Sequence, residues 1–209
     1  MKIYLENYNF NQNLEDKLSD LGLQIFFSKS NNFINQFLIL RNDIMQNELK
    51  INELNFFDDE AEFLLVVNNQ QKVIAGCKFL YSKIIEGNQS VVLSQEIPDS
   101  DFLYQKFLTT IDARKNLQIS ELSNLVINYN YRFYSKIILQ NIFAKFIKDL
   151  QNKVDYCFWV SEIIRSRFYK TIFNSLNIKT HISLDYLWFK SDKYPSKNKQ
   201  NYLGYVKFF

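Results

Sequence analysis

The residues best suited to move protons or hold an anion fall within one short stretch of the chain. Glu121 and Ser123 alternate within LQISELSNLVIN (117–128), a run whose pattern predicts a β-strand, so both side chains are expected on one face with Leu122 on the other. A carboxylate there could accept a proton from an attacking nucleophile, and a neighbouring hydroxyl could orient it. An alternative is that the two are simply the polar face of an edge strand. The chain then reads N-Y-N-Y-R-F-Y-S-K-I and enters a long helical pattern over 131–153. Arg132 and Lys136 are one helical turn apart, and Ser135 offers a hydroxyl beside backbone amides that a first turn leaves unsatisfied. A phosphate or pyrophosphate fits this arrangement; a pair of solvated surface charges is the plainer alternative.

Other chemistries are poorly supplied. Two cysteines, Cys77 and Cys157, lie in strand-like runs with no CxxC spacing, and His181 is the only histidine. Zinc centres, disulfide scaffolds and any other metal site are therefore not expected. A Ser-His-Asp or Cys-His set would have to use His181. The cysteines read as core hydrophobes. The 25 Lys+Arg against 22 Asp+Glu leave a net charge of +3, too small for bulk electrostatic binding of nucleic acid. No run has the roughly 18 uncharged apolar residues that span a bilayer, and the N-terminal segment lacks a signal-type apolar region. A cytoplasmic protein is expected.

The elements that would hold these residues can be read from periodicity. Leu14, Leu18 and Leu21 predict a first helix stopped by Gly22; LQIFF (23–27) predicts a strand. Ser30 or Asn31 could cap a second helix carrying Phe33, Phe37, Leu38 and Ile44. EFLLVV (62–67) and KVIAGCKFLYS (72–82) form a hairpin around Asn68 to Gln71. VVLSQ (91–95) reads as an edge strand and FLYQKFLTTI (102–111) as a helix. After the long helix come a buried strand at 154–160, a helix at 165–176 and a strand at 182–190. A polar linker (190–201) precedes a terminal strand. With 209 residues, 47% hydrophobic, the expectation is one α/β domain over 1–209: a mixed central sheet with helices on both faces.

The segment Arg132-Phe-Tyr-Ser135-Lys-Ile137 resembles the acyl-donor loop of the GNAT superfamily of acyltransferases, R/Q-x-x-G-x-G/A after the fourth core strand, with Ser135 and Ile137 in place of the small residues. Further segments resemble the acyl-homoserine-lactone (autoinducer) synthase branch. Leu40-Arg41-Asn42-Asp43-Ile44 is similar to its L-R-x-x-x-F motif, and Glu53 with Asp58, Asp59 and Glu60 to its acid-rich stretch. Phe63 to Val67 resembles its Y-L-v-v strand, Ala75-Gly76-Cys77-Lys78-Phe79-Leu80 its G-c-a-R-L-L pattern, and Glu121-Leu122-Ser123-Asn124 its E-x-S-R. Lys78 and Asn124 stand where that branch has arginine, and the tryptophan usual before the acidic stretch is missing. The likeness covers roughly residues 33 to 178.

The resemblance implies a GNAT-like acyl-CoA N-acyltransferase fold and direct N-acylation. The donor would be acyl-coenzyme A or acyl-acyl-carrier protein, lying where two strands splay, against the backbone of Val126 and Ile127, with its phosphate on Arg132, Ser135 and Lys136. The acceptor would be a small-molecule amine, S-adenosylmethionine or another, held by Arg41, Asp58, Asp59, Lys78 and Asn124. Glu121, Ser123 and Tyr169 would be the catalytic side chains; Tyr169 sits one turn before the position, Phe173, where the acetyltransferase tyrosine aligns. Lys145, Lys148, Arg165, Arg167 and Lys170 would meet an acidic carrier protein, or be an ordinary solvated face. Two other classes stay open: a catalytically decayed GNAT-fold binding or effector protein, and a nucleic-acid module using the Tyr and Phe.

Overall fold

A computed structural model describes residues 12–49, 58–85, 88–89, 117–176, 178, 180–182, 188–189 and 201–208. The predicted strand at 91–95, the helix at 102–111, Glu53 and the linker at 190–200 lie outside the described residues.

The chain starts with α1 (Gln12–Asp20), stopped at Gly22, whose φ of +66° is one a side chain would resist. Strand β1 (Leu23–Ser28) and helix α2 (Asn31–Ile44) follow, with Ser30 at the N-cap position but its side chain making no cap hydrogen bond, and α2 runs into a π-helical turn, Met45–Leu49. A 3-10 turn, Asp58–Glu60, opens the hairpin of β2 (Glu62–Asn68) and β3 (Val73–Ile85), with a short β4 (Asn88–Gln89) beside β3. Next come β5 (Leu117–Ile127), a 3-10 turn (Tyr129–Tyr134) and α3 (Ser135–Leu150). The chain closes with β6 (Tyr156–Glu162), α4 (Ile163–Ser175), β7 (Thr180–Ile182), β8 (Trp188–Phe189) and β9 (Asn201–Lys207).

The strands form one sheet in the order β1-β2-β3-β5-β6-β9-β7, with β4 on β3 and β8 on β9. Among the described strands only β5 and β6 pair in parallel. That pairing follows from the connection: β5 reaches β6 through α3, and a parallel neighbour needs such a crossover.

The sheet has an apolar layer on each face. On one, Leu64, Ala75, Cys77, Phe79, Leu122, Cys157 and Trp159 meet α3 and α4 through Phe143, Phe146 and Phe173. Phe79 stacks on Phe146, with centroids 4.9 Å apart, and Phe143 on Phe173 at 4.3 Å. On the other, Phe37, Leu40 and Ile44 of α2 meet Phe63, Leu65, Val67, Val73 and Val126. Burying side chains of this size contributes about 1.5–3 kcal/mol each. Both cysteines are fully buried, and burial pushes both thiols up, so neither is a nucleophile near neutral pH.

Three sequence expectations need correction. The predicted helix over 131–153 starts at Ser135, because Asn128 accepts from Asn130 N–H and Tyr131 N–H, and this cap winds Tyr129–Tyr134 into a tighter 3-10 turn. The strand expected over 182–190 is present as Thr180–Ile182 and Trp188–Phe189, each paired with β9. Glu121 and Ser123 are not on an edge strand, since β5 lies between β3 and β6.

Candidate active site

Strand β5 carries a bulge. Gly76 faces Val126 and Lys78 faces Ser123, so two β3 steps match three on β5. The extra residue is absorbed at Asn124, whose φ is +52°, a conformation asparagine tolerates better than most side chains. Its side-chain amide donates to Ser123 Oγ at 3.3 Å. On the opposite edge of β5, parallel pairing with β6 runs only from Ile119↔Tyr156 to Glu121↔Phe158. Beyond that point β5 continues to Ile127 and β6 to Glu162 without pairing to each other. The bulge and the end of pairing together open a wedge in the middle of the sheet, at the carboxyl ends of its two parallel strands.

On the α2 side of the wedge lies a group of buried charges. Arg41, at 2% exposure, reaches from α2 to Asp58, its Nη1 donating to both carboxylate oxygens at 2.7 and 3.0 Å. Lys78, wholly buried on β3, places Nζ 3.4 Å from the same carboxylate. Lys78 stands opposite Ser123, and Glu121, 5% exposed, stands two pairs further along β5, opposite Leu80. A fully buried lysine is uncommon and is tolerated where carboxylates and hydrogen bonds surround it. The structure thus brings together Arg41, Asp58, Lys78, Ser123 and Glu121, with Asn124 at the bulge. Asp59 is exposed and takes no part in these ion pairs.

Tyr169 occupies the other face. Its ring meets Phe143 and Trp159 edge-on, at 5.5 and 6.3 Å. Burial pushes its phenol up to about 12, against the opposing pull of Arg165, so the hydroxyl keeps its proton at neutral pH. Tyr169 therefore approaches the wedge from the side opposite Glu121, and Trp159, the first β6 residue past the last β5–β6 pair, lies beside it. Phe173 is fully buried on Phe143, a core position.

The 3-10 turn sits at the mouth of the wedge. Tyr131 points inward, where its hydroxyl accepts from the Asn68 amide at 3.3 Å, while Arg132 lies over the Tyr129 ring at 5.6 Å. Arg132 and Lys136 are exposed, and Ser135 is half-buried. The backbone amides of Tyr131 and Ser135 donate to Asn128 and Arg132 carbonyls, so they are already used within the turn. Val126 is buried and Ile127 half-buried on β5 directly before the turn.

Sequence reasoning missed the bulge, the role of Trp159 at the wedge and the Asn68–Tyr131 anchor. The one signal for the bulge is a break in alternation: Leu122 and Val126 share parity yet lie on opposite faces. Among the described residues no helix is long and apolar enough to cross a membrane, and no cluster of His, Cys, Asp or Glu could hold a metal ion.

This architecture is that of the GNAT acyltransferases, so the fold expected from the resemblance holds. The structure of FeeM, an N-acyl amino acid synthase from uncultured soil microbes, aligns with a TM-score of 0.60 at 9% identity, over 89% of this chain and 91% of that one. The acyl-homoserine-lactone synthase LasI aligns with a TM-score of 0.55 at 12% identity, over 90% and 89%. An acetyltransferase of the GNAT family from Staphylococcus aureus aligns at 0.51 and 12% identity, over 90% and 99%. No protein-family model and no curated protein sequence matches the chain.

Proposed function

We propose that this protein is an N-acyltransferase that passes an acyl group from a thioester, acyl-coenzyme A or acyl-acyl-carrier protein, to a small-molecule amine, as autoinducer synthases do. The observation that carries this reading is the wedge between β5 and β6 with buried carboxylates and cations on its α2 side. The thioester lies in the wedge, its carbonyl oxygen accepting a hydrogen bond from a backbone N–H near Val126. The amine attacks the thioester carbon; a C–N bond forms as the C–S bond breaks. Glu121 takes the amine proton, directly or through a water, and Tyr169 supplies a proton to the departing thiolate. Positioning and oxyanion stabilisation carry most of the rate, and no side-chain nucleophile is needed. Arg41, Asp58 and Lys78 hold the acceptor side, with Ser123 and Asn124 beside them. The chain is read as one domain.

Because amides of the 3-10 turn are used internally, the donor phosphate is held by the side chains of Arg132, Lys136 and Ser135. The test is calorimetry with acyl-coenzyme A and with acyl-acyl-carrier protein, using Arg132→Ala beside the parent. A lost charge-assisted contact weakens donor binding by roughly tenfold. Unchanged affinity removes the phosphate role of this turn. The same use of amides, with Ile137 where the family has a small residue, favours a second reading, a binding protein on a decayed acyltransferase scaffold. Absence of binding by either donor would establish that alternative over the first.

A further inference from the structure

The 3-10 turn presents an aromatic tip that acyl transfer does not require. Phe133 is 93% exposed and Tyr129 75%, and Tyr134 meets Phe133 edge-on at 5.5 Å. The tip is firmly held: Asn128 caps the turn, Asn128 N–H donates to Ile74 at 2.7 Å, and Tyr131 is anchored to Asn68. Arg132 covers one face of Tyr129 and Tyr134 meets the Phe133 ring, yet most of the Phe133 and Tyr129 surface faces water.

The charged side chains nearest the tip in sequence are basic, Arg132 and Lys136, and α4 carries Arg165, Arg167 and Lys170 from Ile163 to Ser175 with no acid, Glu162 standing just before it at the end of β6. Because β5 and β6 are parallel neighbours, the turn, the start of α3 and the start of α4 all lie at the same end of the sheet. Lys136, Arg165, Arg167 and Lys170 are exposed there, and Phe168 is 38% exposed among them.

We infer that this end of the molecule docks on an anionic lipid surface, with Phe133 and Tyr129 entering the headgroup layer and Arg165, Arg167 and Lys170 facing the lipid phosphates. Aromatic rings are favoured at that boundary, and each basic side chain near an anionic leaflet adds to the attraction. A projecting tip suits a surface that yields, whereas an acidic protein partner would have to offer a matching cavity. The inference does not rest on acyl transfer, since lipid docking needs neither donor nor acceptor.

The experiment is co-sedimentation of the whole chain with vesicles of phosphatidylcholine alone and of roughly three parts phosphatidylcholine to one of phosphatidylglycerol. Binding is expected only to the anionic vesicles, weakening as salt is raised. Phe133→Ser should lower the vesicle partition coefficient about tenfold, while Ile39→Ser, which removes an apolar side chain 70% exposed on α2, should leave it unchanged. Thermal melting of both variants checks that the fold is intact. Calorimetry of the parent with a soluble short-chain acyl-coenzyme A separates the two proposals, because vesicle binding is expected whether or not the donor binds. Absence of binding to anionic vesicles overturns the inference, as does equal binding to neutral ones or no effect of Phe133→Ser. Capture of an acidic carrier protein that depends on Phe133, with vesicles left unbound, would overturn it in favour of a protein partner.

Discussion

Asp58→Asn probes the buried charges most directly. The substitution keeps the size of the side chain and removes an anion that two buried cations touch: Arg41 at 2.7 and 3.0 Å and Lys78 at 3.4 Å. Breaking a fully buried pair costs about 3–5 kcal/mol. The Asp58 side chain is 21% exposed and its lysine contact is the longer one, so water recovers part of the loss. The expected cost is about 3 kcal/mol, at the lower end of that range. For a chain of this length it corresponds to a fall in Tm of about 6–12 °C. Thermal and urea denaturation of the parent, Asp58→Asn, Lys78→Met and the double variant give the full cycle. Lys78→Met replaces a buried ammonium by an apolar chain of similar reach and should cost less than Asp58→Asn. In that background Asp58→Asn should cost about 1 kcal/mol less than in the parent, the coupling expected of contacting charges. A loss within about 0.5 kcal/mol of zero for Asp58→Asn would refute the reasoning, because that is what a solvated surface pair gives.

Two further outcomes can be checked by denaturation. In Gly204→Ala the new methyl would stand 2.4 Å from Cε2 and Cζ2 of Trp159, an indole stacked on Phe173, and overpacking of this kind costs about 1–3 kcal/mol; an unchanged urea midpoint would mean that the indole can move aside. For Tyr169, burial raises the folded-state value to about 12, so the unfolded chain, near its usual value of about 10, loses its proton first. Stability is therefore full below about pH 10 and falls as the pH rises toward about 12, and Tyr169→Phe should reduce that slope between those limits. Tyr81, also raised by burial and by its hydrogen bond to Glu62, leaves a remaining slope in the variant. An identical slope in parent and variant would show that the Tyr169 phenol is solvated.

Much of the fold could be read from sequence because its signals are local. The hairpin over 62–82 is marked by two β-rich runs around a polar turn, and the β5-α3-β6-α4 succession by a switch between alternating and helical periods. Arg41, Asp58 and Lys78 could be named separately, yet nothing local says that α2, a 3-10 turn and β3 bring them within hydrogen-bond reach. Glu121 looked equally like a surface residue, because its burial is decided by β6 arriving alongside from a distant part of the chain. The sequence groups Tyr169 with Glu121 and Ser123, but it lies across the sheet from them, since α4 covers the face that α2 does not. Helix α3 starts four residues later than its periodicity predicts, because periodicity cannot distinguish a 3-10 turn from the first turn of an α-helix when Asn128 provides the cap.

The bulge at Asn124 acts on the sequence as a change of phase. Before it, residues of even number on β5, such as Leu122, face α3; after it, the odd-numbered Leu125 and Ile127 do, and Val126 turns toward α2. Deletion of Asn124 alone would remove the extra residue and leave Leu125, Val126 and Ile127 in the layers they now occupy, whereas a single-residue deletion away from the bulge would turn part of the strand to the wrong layer. A variant library that samples single-residue deletions should therefore find Asn124 the most tolerant position of β5 and the strand on either side of it among the least tolerant segments.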